Sequence, residues 1–413
     1  MRILHTSDWH LGRTLYGKRR YKEFSAFLDW LLETIAANSV EVLLVAGDIF
    51  DTSTPGTTSQ QLYYRFLSEV AKSCCRDVII TAGNHDSPTF LDAPHDLLNA
   101  FDVHVIGTAR EDVTEEVLTL HDEAGVPHLI VCAVPYLRDR DIRRSVQGES
   151  IDEKDTKLIN GVKAHYDAVC DHAEVLQQDF KENGYGKIPI IAMGHLFAAG
   201  GKTFDGDGVR ELYIGSLAHI GSDLFHDSID YLALGHLHIP QKLNGIETMR
   251  YSGSPIPVGF GEATQKKRVI LLGLTPQEVK IEELFVPCFQ RLVQLQGDYG
   301  EITEELEKLK AEDMSIWVEI DYTGSEILHD LKGQLEQTIT DSPIEILRIR
   351  NRQIVERALK ATVENESLED LDEYQVFSRF MDDQGIVEES RTELLAAYGE
   401  IITAIQEKDS PED

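Results

Sequence analysis

Short motifs rich in aspartate and histidine recur along this 413-residue chain, and each follows an apolar run. The apolar runs predict buried strands, because they are short, rich in β-branched residues or leucine, and end in turns. Side chains that follow neighbouring parallel strands lie at one edge of a sheet, so we expect the motifs to converge there. The potential metal ligands are Asp8, His10, Asp48, Asn84, His195, His236 and His238.

The predicted strands set the frame for these ligands. They cover residues 3–4, 42–45, 78–80, 188–193 and 232–234. Pro189 has no N–H to donate, so it belongs near the start of its strand or on an edge. A glycine stands directly before a ligand at positions 47, 83, 194 and 235. Without a Cβ the backbone can bend sharply there, which brings the next side chain toward a shared point.

The mixture of carboxylate, imidazole and amide ligands indicates a divalent metal centre. It favours Mn²⁺, with Fe²⁺, Zn²⁺ and Mg²⁺ open, and it argues against a thiolate site. Two such ions about 3.5–4 Å apart can activate water and stabilise a leaving alkoxide, which is what phosphodiester cleavage needs. Asp48 is the best bridging ligand, because its carboxylate offers two oxygens. His85 follows a ligand and is free to face the substrate, where an imidazole can protonate the leaving oxygen.

The order of the motifs, from Asp8-x-His10 through Gly83-Asn84-His85-Asp86 to Gly235-His236-x-His238, resembles the signature of the calcineurin-like metallophosphoesterase superfamily. The resemblance implies an α/β fold, a sandwich of two mixed sheets flanked by helices. It also implies one metal held by Asp8, His10 and His238 with Asp48, and a second held by Asn84, His195 and His236. Asp51 and Asp86 are expected to orient an imidazole.

Longer stretches resemble the SbcD family, the nuclease subunits of bacterial SbcCD complexes. They include MRILHTSDWHLGRTLYGKRRYKEF, VAGDIFDTSTP, AGNHDS, VPYLRDRDI, DYLALGHLH and RYSGSPIPVGF. The resemblance implies a DNA exonuclease on duplex ends and an endonuclease on hairpin or single-stranded structures, serving DNA repair, replication and recombination. It further implies a homodimer within an ATP-regulated complex that contains an SbcC-like coiled-coil ATPase.

Two other functions fit part of the sequence. A small-molecule phosphodiesterase or phosphatase would share all seven ligands. It would not need the C-terminal segments or the basic patches. A DNA-end-tethering subunit would tolerate the loss of Asp48 or His85, so the intact ligand set argues against it.

The formal net charge of −33 repels a polyanion such as DNA. DNA contact therefore requires local basic patches or a partner that supplies affinity. The candidate patch beside the first motif consists of Arg13, Lys18, Arg19, Arg20 and Lys22, with Tyr16 positioned to stack on a base or sugar. The alternative is an ordinary solvated loop.

Three segments are predicted. Residues 1–284 form the phosphoesterase domain, and within it the charged helix of about 149–183 is expected to be peripheral. Residues 285–352 alternate strand and helix patterns as βαβαβ, and the resemblance implies a capping domain there. Residues 353–413 carry two amphipathic helices, which the resemblance implies dock on the partner.

Composition indicates a cytoplasmic chain without a membrane span. The sequence has no apolar run of about 18 residues. Its start lacks the basic and apolar regions of a signal peptide. The five cysteines have no CxxC spacing and are expected to be reduced.

Overall fold

A computed structural model of the protein describes residues 1–142, 150–198, 221–275, 278–312, 314–324 and 330–351. The chain divides into two compact units, Met1–Val293 and Gln294–Asp413. The division falls inside a strand, Arg291–Gly297, whereas the sequence placed a boundary after residue 284. The predicted C-terminal helices at 353–413 lie outside the described residues, so their docking role stays a prediction.

The strands of the described residues are β1 (Arg2–Thr6), β2 (Thr14–Leu15), β3 (Lys18–Arg19), β4 (Val42–Ala46), β5 (Asp77–Thr81), β6 (Val103–Ile106), β7 (Val117–His121), β8 (Pro127–Ala133), β9 (Ile190–His195), β10 (Tyr231–Gly235), β11 (Gln241–Lys242), β12 (Met249–Tyr251), β13 (Arg268–Leu274), β14 (Val279–Phe285), β15 (Arg291–Gly297), β16 (Ile316–Tyr322) and β17 (Ile344–Asn351). The helices among the described residues of the first unit are α1 (Tyr21–Ala37), α2 (Thr57–Val70), α3 (Pro88–Asp92), α4 (His95–Asn99), α5 (Asp139–Ile142) and α6 (Ile151–Glu182). All five predicted strands are confirmed, and Pro189 lies directly before β9. No helix among the described residues combines the length and apolarity that crossing a bilayer requires.

The first unit is built on two six-stranded mixed sheets. The first sheet has the order β14-β13-β1-β4-β5-β6, with β1, β4, β5 and β6 parallel. The second has the order β11-β12-β10-β9-β8-β7, with β12, β10, β9 and β8 parallel. The parallel arrangement sends the carboxyl ends of β1, β4 and β5 to one edge of the first sheet, and those of β9 and β10 to one edge of the second.

The two sheets pack face to face, with helices on their outer faces. In β4, Val42 and Leu44 face the second sheet, where they share a core with Ile191 of β9. Leu43 and Val45 point the other way, into the core formed with α1 and α2. Burial on both faces explains why this strand is uniformly apolar instead of alternating. The predicted sandwich of mixed sheets flanked by helices is confirmed.

The helix α6 is a structural layer, so the expectation that this segment is peripheral was wrong. Leu158, Val162 and Tyr166 are buried in the outer core of the second sheet. These positions repeat every four residues and form one apolar stripe, while charged residues cover the opposite face. The high overall charge of the segment concealed that stripe.

The second unit contains a three-stranded sheet of order β15-β16-β17. Strands β16 and β17 are parallel. The helices Tyr299–Lys310 and Leu331–Thr338 connect the strands, and their buried residues include Ile302, Leu306 and Leu335. The predicted βαβαβ order is therefore confirmed, whereas a capping role stays a prediction.

Candidate metal centre

The seven predicted ligands lie at or just beyond the carboxyl ends of parallel strands in the two sheets. Asp8 and His10 follow β1, Asp48 follows β4, and Asn84 follows β5. His195 ends β9, and His236 and His238 follow β10. Several of the ligands adopt positive φ, which is uncommon for residues other than glycine and concentrates at functional sites: Asp8 (53°), His10 (47°), Asp48 (51°) and His236 (98°).

One group of ligand atoms joins the two sheets. Nε2 of His10 lies 3.0 Å from Nε2 of His238. Both side chains are buried, and together with Asp8 they place ligand atoms within 4.8 Å of one another. Two ring nitrogens at this distance need a proton or a cation between them, because two lone pairs repel. The geometry therefore fits a metal held by these residues.

A second group surrounds the amide of Asn84. Its Oδ1 lies 3.1 Å from Nε2 of His195 and 3.0 Å from Nδ1 of His236. Nδ1 of His195 lies 2.9 Å from the carbonyl oxygen of Ala46. A carbonyl only accepts, so in the neutral His195 ring Nδ1 carries the proton and Nε2 presents its lone pair to the site. This is the tautomer that a metal ligand requires.

Asp48 lies between the two groups. Its Oδ2 is 3.6 Å from Nε2 of His10 and 3.4 Å from Nε2 of His195. Its Oδ1 accepts a hydrogen bond of 2.9 Å from the backbone N–H of His85. Burial alone would raise the pKa of Asp48, but the histidines around it hold that pKa well below its usual range. The side chain is thus an ionised carboxylate with one oxygen directed toward both groups.

Glycines make this close approach possible. A Cβ on Gly47, which has a φ of +81°, would overlap the His195 ring, and a Cβ on Gly235 would overlap the carbonyl oxygen of Ala46. These two positions admit only glycine because the loops of the two sheets touch there.

His85 lies beside the first group and not inside it. Its ring meets that of His10 edge to face at 4.9 Å. Nδ1 of His85 lies 2.8 Å from the carbonyl oxygen of Asp51. The carbonyl fixes the proton on Nδ1, so Nε2 is the atom that can exchange a proton with a substrate.

Asp51 contacts an imidazole, as the sequence suggested. Its Oδ1 lies 3.4 Å from Nδ1 of His10 and accepts a hydrogen bond of 3.0 Å from Arg13. Burial would raise the pKa of Asp51, but His10 and Arg13 lower it to about 2. The charged carboxylate can therefore hold the His10 ring in place.

Asp86 has a different role from the predicted one. Its carboxylate accepts hydrogen bonds from the backbone N–H groups of Ile49, Phe50 and Gly83, at 2.9–3.1 Å. The Asp86 carboxylate therefore connects the loop after β4 to the loop after β5. It holds the backbone of these two loops in place and does not orient an imidazole. Burial and the charge of Asp48 raise the pKa of Asp86 to about 6.

The predicted basic patch is only partly available to a ligand. Tyr16 is 47% exposed and stacks on Phe260 with ring centroids 5.9 Å apart. It lies in the turn of the hairpin β2–β3, which also carries Lys18 and the exposed Arg19. Arg20 is buried and donates to both carboxylate oxygens of Glu23, at 2.7 and 2.8 Å. The prediction of a DNA contact was therefore wrong for Arg20, because its guanidinium is paired with Glu23 in the first turn of α1.

Ser7 and Ser252 also belong to the site, although neither was predicted from the sequence. Ser7 Oγ donates to Oδ2 of Asp8 and lies 2.7 Å from Ser252 Oγ. Ser7 directly precedes a ligand, and Ser252 belongs to the stretch RYSGSPIPVGF. That stretch was the signal that could have located it.

The comparisons with known proteins agree with this geometry. The family model described as calcineurin-like phosphoesterase matches residues 1–240, which contain all seven predicted ligands. The model SbcD_C, described as type 5 capsule protein repressor C-terminal domain, matches residues 288–385. The chain is 36% identical over 386 residues to the SbcD subunit of nuclease SbcCD from Escherichia coli strain K12, covering 92% of each chain. The chain belongs to the SbcD family of calcineurin-like phosphoesterases.

Two further relatives are SbcD subunits of the same nuclease in other bacteria. The Rhodobacter capsulatus protein is 35% identical and covers 76% of this chain and 77% of its own length. The Bacillus subtilis protein is 29% identical and covers 99% of this chain and 100% of its own length. Membership of the SbcD family implies divalent metal binding, which the carboxylate, imidazole and amide groups gathered around Asp48 fit.

Proposed function

We propose that this protein is a Mn²⁺-dependent DNA nuclease that uses two metal ions. The observation that carries the proposal is the position of Asp48, whose Oδ2 lies within 3.6 Å of a nitrogen in each ligand group. The relatives, which are named as subunits of the nuclease SbcCD, support DNA as the substrate.

In this proposal, each ligand group would hold one cation. Asp8, His10 and His238 would hold the first, Asn84, His195 and His236 would hold the second, and Asp48 would serve both. When bound, the two ions supply charge neutralisation at the phosphate and an activated water. Oxygen and imidazole ligands without thiolate suit Mn²⁺.

His85 is the proposed proton donor. Its Nδ1 is held by the carbonyl oxygen of Asp51, so protonated Nε2 can give a proton to the oxygen that leaves the phosphate. Asp51 supports His10 and Arg13 at the same time, and Asp86 secures the loops that carry Asp48 and Asn84. These residues orient the reacting groups without contacting the scissile bond.

In this proposal, DNA contacts a local surface of basic and aromatic side chains, although the chain as a whole is acidic. Tyr16 offers an exposed ring for stacking, and Lys18, Arg19 and Arg13 lie in or beside the same hairpin. With a net charge of −33, the chain needs a partner for most of its DNA affinity. We propose an SbcC-like coiled-coil ATPase, docked on the segment 353–413, as that partner.

The complex would contain a homodimer of this chain. It would cut duplex ends as an exonuclease and hairpins as an endonuclease. Its role would be in DNA repair, replication and recombination. The second unit would act as its capping domain. The C-terminal match to the SbcD_C family model supports the shared architecture of the chain.

The test compares three substrates in Mn²⁺: a labelled linear duplex, a DNA hairpin and an aryl phosphodiester. Each is measured with and without an SbcC-like ATPase and ATP. Cleavage of duplex and hairpin that is stimulated by the ATPase supports the proposal. Hydrolysis of the small ester alone, in the presence of the ATPase as well, contradicts it and favours a small-molecule phosphodiesterase.

A further inference from the structure

A buried carboxylate lies behind the first ligand group. Glu262 is the last residue of the 3-10 turn Phe260–Glu262 and is fully buried. Its Oε1 lies 3.2 Å from Nδ1 of His238, on the side of the ring opposite the nitrogen that faces His10. The two nitrogens of one imidazole therefore have separate tasks, one toward the carboxylate and one toward the ligand group.

Lys267 completes this arrangement. Its Nζ donates to Oε2 of Glu262 at 2.5 Å and to the carbonyl oxygen of His238 at 3.0 Å. It also donates to Ser254 Oγ at 2.9 Å. Oε2 of Glu262 accepts a further hydrogen bond from the backbone N–H of Val258 at 3.0 Å. The carboxylate is thus held by several donors, and Lys267 secures both the backbone of His238 and the group that faces its ring.

A contribution to stability is a poor explanation for such a pair. Removing two charges from water is energetically costly, and a buried ion pair is often no more stabilising than apolar side chains of the same volume. The Glu262 carboxylate and the Lys267 ammonium nevertheless face each other in the interior, where apolar side chains would fill the space at lower cost.

We propose that Glu262 is a positioning residue for metal binding, which fixes the His238 ring with its proton on Nδ1 and leaves Nε2 available as a ligand. Lys267 holds the carboxylate in place beside the His238 ring through its hydrogen bonds to Oε2 of Glu262 and to the carbonyl oxygen of His238. The inference rests on the proposed two-metal function and adds a residue pair outside the seven-ligand motif set. Carboxylate partners of this kind typically change metal affinity by about 10- to 100-fold when they are removed.

The experiment measures Mn²⁺ binding by isothermal titration calorimetry on the full chain and on Glu262→Gln, with the electron paramagnetic resonance spectrum of each loaded protein. Wild type is expected to bind two ions and to give a spin-coupled spectrum. In Glu262→Gln, the affinity of one of the two sites should fall by about 10- to 100-fold, and the spin-coupled spectrum should give way to that of a single Mn²⁺ at limiting metal.

Glu116→Gln is the matched control. Glu116 is also fully buried and also faces a histidine, with its Oε2 2.8 Å from Nε2 of His165, at the turn Val113–Glu116. Its loss should leave both Mn²⁺ affinities and the spectrum unchanged. A defect of equal size in both variants would overturn the inference, because it would show a general effect of removing a buried carboxylate.

Glu262→Gln leaves Lys267 without its counter-charge and can destabilise the chain. The double variant Glu262→Gln with Lys267→Met removes both charges and restores a neutral interior, and it should show the same weakened site. Two sites of wild-type affinity in either folded variant would overturn the inference. Fewer than two sites in the wild-type protein would contradict the proposed two-metal function itself, and the inference with it.

Discussion

Nε2 of His10 lies 3.0 Å from Nε2 of His238, although 228 positions separate the two residues in the chain. His10 follows a strand of the first sheet, and His238 follows a strand of the second. The predicted ligands therefore come together only when the two sheets pack. Metal binding at this centre accordingly requires the tertiary structure and not one sheet alone. Metal binding should accordingly stabilise the folded first unit by mass action.

His85→Asn should separate proton transfer from metal binding. In the proposed assignment His85 faces the first ligand group without being one of its ligands, so both proposed Mn²⁺ sites should keep their affinity. The turnover rate should fall by about 10²- to 10⁴-fold, the usual contribution of a positioned general acid. Steady-state hydrolysis and calorimetry on the same sample test this, with His95→Asn on α4 as a control of ordinary activity. An equal fall in Mn²⁺ affinity would instead identify His85 as a ligand.

The affinity for Mn²⁺ should rise with pH. Burial alone would lower the pKa of His195, but the charge of Asp48 and a hydrogen bond to it raise that pKa to about 9 in the metal-free protein. A ligand must be neutral, so below about pH 9 the metal has to displace this proton, and affinity should change by about tenfold per pH unit for one proton released. The pKa of His236 is lowered to about 3, so it releases no proton in this range.

Calorimetric titrations at about pH 6.5 and about pH 8.5, in buffers with different ionisation enthalpies, count the protons released on binding. An affinity that stays flat across this interval would contradict the assignment of His195 as a ligand.

Tyr16→Ala should weaken DNA binding and leave the chemistry intact. Loss of one stacked base costs about 1–3 kcal/mol of binding free energy. Hydrolysis of an aryl phosphodiester should be unchanged, because Tyr16 stacks on Phe260 and is not a ligand. Tyr185→Ala is the control, since Tyr185 is 51% exposed and likewise packs on a phenylalanine, Phe180, at 6.2 Å. Equal losses in both variants would remove Tyr16 from the proposed DNA surface.

Gly235→Ala should destabilise the first unit and disturb the metal centre together. A Cβ at this position overlaps the carbonyl oxygen of Ala46, which also accepts from His195. Overpacking of this kind costs about 1–3 kcal/mol. Gly273→Ala is the control on β13, where the nearest atom to an added Cβ is 3.6 Å away. Urea unfolding of both variants tests this, and equal midpoints would show that the loops tolerate the added methyl group.

The ligand loops could be predicted because their signals are local. Each parallel strand is a short apolar run, and glycine at 47 or 235 marks the place where the next side chain meets another loop. Apolar runs without alternation indicate strands buried on both faces, but the sandwich of two sheets was implied only by the resemblance to the superfamily.

Other features depended on contacts that the sequence does not display. The burial of Arg20 depends on its pairing with Glu23 at the first turn of α1. Asp86 contacts backbone groups, which have no sequence signature. Glu262 lies outside the recognised motifs, and only the packed fold brings it to His238.

The bridging role of Asp48 is best tested by the Mn²⁺ stoichiometry and hydrolytic rate of Asp48→Asn beside wild type. Asparagine keeps the oxygen that accepts from His85 N–H but removes the charge between the two ligand groups. We predict two Mn²⁺ ions and hydrolysis in wild type, and at most one tightly bound ion with no cleavage above background in a folded variant. Two tightly bound ions and wild-type cleavage in Asp48→Asn would contradict the two-metal mechanism.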